Sequence, residues 1–243
     1  MRHLLGRFGF ALLVLFLIST KFVDVTIGAG FGSHPAATAW AATGLTAERF
    51  ALDYWSSTPP PSAVQDPRQL AGKIASRLGV RKPSIYAGET GGIRFANLDG
   101  ALPGEGEIVL TIQVERRETN IGISCCYGGL PDDLLGLERR IRLAVAGLGA
   151  QGAFYWTIRG RLPGRLREET WRAMWTRVLA SVNAERRGNR PDDDLIEAYT
   201  PLLPTAPASG VDGEVNLVLA AQYDPSRRAS LIVLASPHIG EEV

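Results

Sequence analysis

Two cysteines, three histidines and three lysines are all that this 243-residue chain holds of those types, and each scarcity removes a class of function. The cysteines are neighbours, Cys125 and Cys126, and the histidines are spread out as His3, His34 and His238. A structural or catalytic zinc site draws three or four ligands mostly from these residue types. So few of them, so placed, build none without carboxylates brought from elsewhere, and no metal or cofactor is expected. The formal net charge is only +1, which argues against a protein that neutralises nucleic-acid phosphates.

The chain also lacks an apolar run of the ~20 residues that span a bilayer. Its longest, Phe8 to Ile18, follows Arg2, His3 and Arg7 and is closed by Ser19, Thr20 and Lys21. That is the pattern of a signal-peptide core. Small-residue cleavage patterns occur at Ala37-Thr-Ala39 and Ala39-Trp-Ala41. Residues 1–41 therefore read as a signal peptide or an N-terminal membrane anchor. The mature chain is expected to be secreted, or anchored to the cytoplasmic membrane if the segment is kept. Cleavage after Ala41 removes three basic residues and one acid, leaving a net charge of −1.

Leu45, Arg49, Leu52 and Trp55 recur at helical spacing before Thr58-Pro-Pro-Pro61, so residues 42–65 read as a helix (45–57) and a Pro-rich linker. Asp66-Pro67 is an N-cap followed by a first-turn proline, Leu70, Ile74 and Leu78 form one stripe, and Gly79 is a C-cap. Strands are predicted over Ser84 to Ala96 (with a bend or bulge at Gly91-Gly92), Glu107 to Arg116 and Asn120 to Tyr127. A helix opens at Pro131-Asp-Asp133, with Leu134, Leu137, Ile141, Ala144, Val145 and Leu148 as its buried stripe. A strand from Ala153 to Arg159 and a helix from about Arg165 to Arg187 follow. Three more strands are predicted at Leu195 to Thr200, Glu214 to Tyr223 and Ala229 to Ser236.

This order repeats: a helix precedes three strands twice. Gly106-Glu-Ile-Val-Leu110 opens the central hairpin of one half, and Gly213-Glu-Val-Asn-Leu217 that of the other. Residues 66–150 and 151–239 are thus two halves of one domain, with 240–243 a tail. The fold class expected is α+β, one continuous antiparallel sheet built from two pseudo-repeats with all helices on one face.

Tyr199-Thr-Pro201, Val215-Asn-Leu217, Ala221-Gln-Tyr223 and Leu231-Ile-Val-Leu-Ala-Ser-Pro237 occur in this order. Together they resemble the YwmB family, exported proteins of sporulating Gram-positive bacteria with a fold like that of the TATA-box-binding protein. The likeness is best over 197–239 and extends, in order of elements, back to about Asp66. It implies a saddle, a curved sheet with helices on its convex side, and no established activity. A minor-groove saddle needs basic residues and paired aromatic wedges. The residues that alternation places on the open face include one cation, Arg159, and no Phe pair, so nucleic acid is not expected as a partner.

The remaining motifs fail on context. Asp192-Asp-Asp194 lacks the alternating carboxylates and glycine of a calcium loop. Gly147-Leu-Gly149-Ala-Gln-Gly152 follows a helix and precedes a strand, the reverse of a dinucleotide loop. Cys126 and His238 are the only thiol–imidazole pair, with no third group to orient them. Glu89, Glu115 and Glu118 sit near strand ends and read as solvent-facing. Period-2 alternation buries Cys125 and leaves Cys126 on the open face, so the two act separately. That face carries the candidate binding residues: Tyr155, Thr157, Arg159, Gln113, Asn216, Gln222 and Cys126. The expected function is a non-catalytic binding or scaffold role in the cell envelope, toward a protein, a peptide or a wall component. The alternative is an extracytoplasmic enzyme with no recognisable motif.

Overall fold

The computed structural model describes residues 33–59, 66–148, 152–187, 194–203, 208–210 and 213–236. The chain divides at His34/Pro35, and the account concerns the second unit, Pro35–Val243. The N-terminal apolar run, the Pro60–Gln65 stretch, Asp192, Asp193 and His238 lie outside the described residues.

In chain order the elements are α1 (Pro35–Ala41), β1 (Arg49–Thr58), α2 (Pro67–Leu78), β2 (Arg81–Thr90), β3 (Ile93–Leu102), β4 (Gly106–Val114), β5 (Thr119–Tyr127), α3 (Leu134–Val145) and β6 (Gly152–Pro163). There follow α4 (Glu168–Ser181), β7 (Glu185–Arg187), β8 (Leu195–Tyr199), β9 (Ala208–Gly210), β10 (Gly213–Val215), β11 (Leu217–Asp224) and β12 (Ala229–Ser236). It is an α+β fold with one large antiparallel sheet. Ten strands run in the order β2-β3-β4-β5-β1-β6-β12-β11-β8-β7, and β9 and β10 form a separate ribbon. The order is symmetric about the β1–β6 pair: β5 answers β12, β4 answers β11, β3 answers β8 and β2 answers β7. The repeated Gly-Glu pentapeptides lie at the starts of β4 and of the β10–β11 segment, which are equivalent places.

Residues 45–57 are not a helix. Phe50, Leu52, Tyr54, Ser56 and Thr58 are buried and alternate with Ala51, Asp53, Trp55 and Ser57, a period of two. This strand fills the middle of the sheet, pairing with β5 on one side and β6 on the other. Helical spacing in a short aromatic-rich run was outweighed by the burial of one strand face on the core. Tyr54 stacks on Phe154 directly opposite, ring centroids 5.0 Å apart.

The predicted strand 84–96 is two strands. Gly91 and Gly92, at φ 58° and 80°, make a two-residue hairpin turn, with Thr90 paired to Ile93. The helix predicted to Arg187 stops at Ser181. Asn183 takes φ 49°, Ala184 N–H bonds Leu179 C=O at 2.9 Å, and Glu185–Arg187 becomes an edge strand. The predicted strand 214–223 breaks at Asn216.

The first long helix starts and stops as its sequence requires. Asp66 caps α2 by accepting Arg68 N–H at 2.9 Å, and Gly79 ends it at φ 70°. Asp133 caps α3 through Gly136 N–H at 2.8 Å. The buried stripes of α2, α3 and α4 join the inward residues of β1, β4, β5, β6, β11 and β12 in one core. α2 packs on α3 over the first half, and α1 packs on α4 over the second. Ala36, Ala39 and Trp40 of α1 belong to that core, and the Trp40 ring lies where a Cβ on Gly160 would be, 2.7 Å from its nearest ring atom.

Candidate ligand-binding face

The face opposite the helices is built by the residues that alternation turns away from the core. Register fixes its rows. One runs Tyr86–Asn97–Thr111–Gly122–Trp55–Ala153 across β2, β3, β4, β5, β1 and β6. The next runs Ser84–Asp99–Val109–Ser124–Asp53–Tyr155 across the same strands. Beyond it lies Glu107–Cys126–Ala51–Thr157, then the Arg49–Arg159 pair.

Trp55 stands at the centre, 56% exposed. Its six-membered ring covers Gly122: a Cβ there would fall 2.6 Å from Cζ3. Glycine on β5 is what lets so large a ring lie down on the sheet instead of standing away from it. Beside it the Ser124 hydroxyl donates to the Asp53 carboxylate, with Tyr155 opposite Asp53 on β6. At the outer strands Tyr86 and Phe95 form an aromatic pair, centroids 5.7 Å apart. Val109 is 46% exposed. Asp99 on β3, Glu107 on β4 and Asp53 on β1 make one part of the face acidic, and Arg49 sits directly across from Arg159 at the β1–β6 seam. Arg161, next along β6, is bound to Glu48.

Of the residues predicted for this face, Tyr155, Thr157, Arg159 and Cys126 come together around β1, all half-buried. Gln113 is exposed but lies in another row, against Asn120 and Ser57. Gln222 is exposed on β11 beside Leu231 and Arg161, on the far side of the sheet. Asn216 is not on the face at all. It is 2% exposed, and its amide group bonds both ways to the Thr200 backbone, accepting from N–H at 2.8 Å and donating to C=O at 2.7 Å. Ser236 donates to its carbonyl at 2.5 Å. The side chain stitches two strands where β10 departs from β11. Val218 and Ala220, which alternation along β11 turns to the same face as Gln222, are buried, as are Val233 and Ala235 beside them. At these four positions of β11 and β12 the outer face of the sheet is closed, while Gln222 stays exposed at its end.

Cys125 and Cys126 point apart as alternation requires, and both are free thiols. Burial pushes the Cys125 thiol up to about 12, helped by Cys126 and by Asp53, with Arg140 opposing. Glu118 is engaged at the β4–β5 hairpin, accepting from Ser57 at 3.1 Å and Asn120 at 3.2 Å. Among the described residues no group of three His, Cys, Asp or Glu is placed to hold a metal ion.

Asp53, Trp55, Tyr86 and Phe95 were missed in the sequence. For Asp53 and Trp55 the cause was reading 45–57 as a helix; the strict Phe50, Leu52, Tyr54 alternation was the signal to follow. Tyr86 and Phe95 required the register of two strands that had been read as one.

No family model matches the chain, and no curated protein matches it. The solved structure of DynU16, a protein of the dynemicin biosynthetic locus, is similar over 79% of this chain and 89% of that one, at 15% identity and a TM-score of 0.21. A likeness at that level identifies neither fold nor activity.

Proposed function

We propose that this chain is an exported, non-catalytic binding or scaffold protein of the cell envelope, and that it holds a wall-derived glycan on the face around Trp55. The observation that carries this reading is the Trp55 ring, more than half exposed and laid over Gly122. A flat aromatic surface offers apolar contact to the C–H face of a sugar ring, while its neighbours supply oriented polar groups. Here those neighbours are the Asp53–Ser124 pair, Thr111 and Tyr155. A duplex nucleic acid fits poorly, since Asp53, Asp99 and Glu107 share the same face and would repel phosphates.

The fold we assign to this reading is the TATA-box-binding-protein-like saddle, and the family is the one the C-terminal motifs resemble, YwmB. In support, the strand order mirrors itself about a central β1–β6 pair and the helices cover one face.

The same reading bears on how the N-terminal segment is processed. Cleavage after Ala39 would cut within α1 and remove Ala36 and Ala39 from the core, and cleavage after Ala41 would remove Trp40 as well. The N-terminal segment is therefore kept, or cut before Pro35. N-terminal sequencing of the protein from its own cells should find a start no later than Pro35, and a start at Trp40 or Ala42 contradicts this. For the glycan, co-sedimentation of the full chain with purified insoluble wall glycan should be saturable and should weaken about tenfold in Trp55→Ala. Equal binding by the variant moves the site off this face.

A further inference from the structure

A second site lies on the helix side of the sheet, at the end where the β3–β4 turn meets the β5–α3 loop. A cleft of about 470 Å³ opens there. Its floor is Tyr127, the last residue of β5. Tyr127 is 8% exposed, its ring passes over Gly106 so closely that a Cβ there would fall 2.4 Å from Cε1, and it lines the cleft. Its phenol has no hydrogen-bond partner among the described residues. The oxygen is not among the fully buried polar atoms, so the hydroxyl is open to a ligand in the cleft.

The walls are charged in a particular way. Arg140 of α3 lines the cleft, is exposed, and has no carboxylate partner among the described residues. Its charge lies near enough to Tyr127 to oppose the upward push of burial on the phenol. Glu105 of the β3–β4 turn and Asp132 of the loop also line the cleft, both exposed and neither paired with a cation among the described residues. Glu105 is held at φ 61°, a left-handed conformation that a glutamate adopts at some cost. Asp133 is already engaged in capping α3. A simple anion would meet two free carboxylates here, and a simple cation would meet a free guanidinium. A molecule carrying both charges satisfies every group.

We infer that the cleft binds a small zwitterion, a free amino acid or short peptide, whose carboxylate is held by Arg140 and the Tyr127 hydroxyl and whose ammonium is held by Glu105 and Asp132. The volume suits roughly two residues. The backbone of Gly128 lines the entrance, and a Cβ there meets nothing within 4 Å, so side chains are tolerated but would intrude on the ligand.

The test uses the full chain and three probes by titration calorimetry: alanyl-alanine, its N-acetyl derivative and its C-terminal amide. The expected result is saturable binding of alanyl-alanine, with each derivative weaker by about tenfold or more. Arg140→Met and Tyr127→Phe should bind acid and amide alike, and Glu105→Gln with Asp132→Asn should bind free and acetylated amines alike. Gly128→Leu should lose binding with its melting temperature unchanged, which separates a blocked cleft from a damaged fold. Failure of alanyl-alanine to bind at millimolar concentration overturns the inference. So does full discrimination between acid and amide in Arg140→Met, an exposed position where folding is not at stake.

Discussion

The two halves of the sheet share an order of strands and differ in what they do with the face turned away from the helices. In the first half the strands are nine or ten residues long, and that face is open from Tyr86 to Trp55. In the second half they shorten outward from β6, to eight, eight, five and three residues. There Val218, Ala220, Val233 and Ala235 are buried where the first half shows Thr111, Val109 and Cys126 to solvent. Duplication of an architecture therefore has not duplicated a surface. One half keeps its outer face open, and in the other that face is closed over Val218, Ala220, Val233 and Ala235. The central strand β1 decides where the open part ends, because it supplies Trp55 and Asp53 and separates β5 from β6.

The sharpest way to break the comparison is to unsettle the second half alone. Trp40→Ala should cost about 3–5 kcal/mol, the usual penalty for emptying a large aromatic site in a core. Trp40→Phe should cost less, because the indole N–H has no partner to lose. Chemical denaturation of the two variants beside wild type measures both. Asn216→Ala should come next, at about 1–3 kcal/mol, since it leaves the buried N–H and C=O of Thr200 unpaired.

A smaller effect belongs to the first half and depends on pH. The Cys125 thiol is raised from 9.0 to about 12 in the folded chain. Between those values the unfolded chain has released a proton that the folded chain keeps, so stability falls as pH rises. The contribution is complete below about pH 9 and is lost toward pH 12, with a limiting slope of about 1.4 kcal/mol per pH unit. Cys125→Val should flatten that slope relative to wild type. Thiol labelling of the native protein should modify Cys126 and spare Cys125. The smallest stability effect is expected at Trp55 itself: Trp55→Ala should change stability by no more than about 0.5–1 kcal/mol, because the ring is exposed and packs mainly on Gly122.

Much of this was legible in the sequence where local physics decides. Asp66-Pro67 and Gly79 bound a helix as written, the alternation of Ile108, Leu110 and Ile112 gave β4, and the Cys125–Cys126 pair separated onto two faces by period alone. What escaped was set by tertiary context. Phe50 to Thr58 carries both a helical and a strand spacing, and only the core it covers chooses between them. Asn216 reads as a face residue only in a continuous strand; its side chain ends that strand by bonding to Thr200, sixteen positions away. Val218 and Ala220 lie on the expected face, but alternation reports direction and says nothing about cover. The cleft beside Tyr127 left no trace in the sequence, because it forms only where the β3–β4 turn meets the β5–α3 loop.

The asymmetry between the halves is tested most directly by comparing one exposed aromatic from each. Tyr223 on β11 is 39% exposed against 56% for Trp55, lies on the helix side of the sheet, and serves as the control for losing an exposed ring outside the open face. Full-length Trp55→Ala and Tyr223→Ala should be co-sedimented with insoluble wall glycan beside wild type. The account predicts about a tenfold loss for Trp55→Ala and none for Tyr223→Ala. Equal loss in both, or loss only in Tyr223→Ala, would contradict the claim that the binding face belongs to the first half.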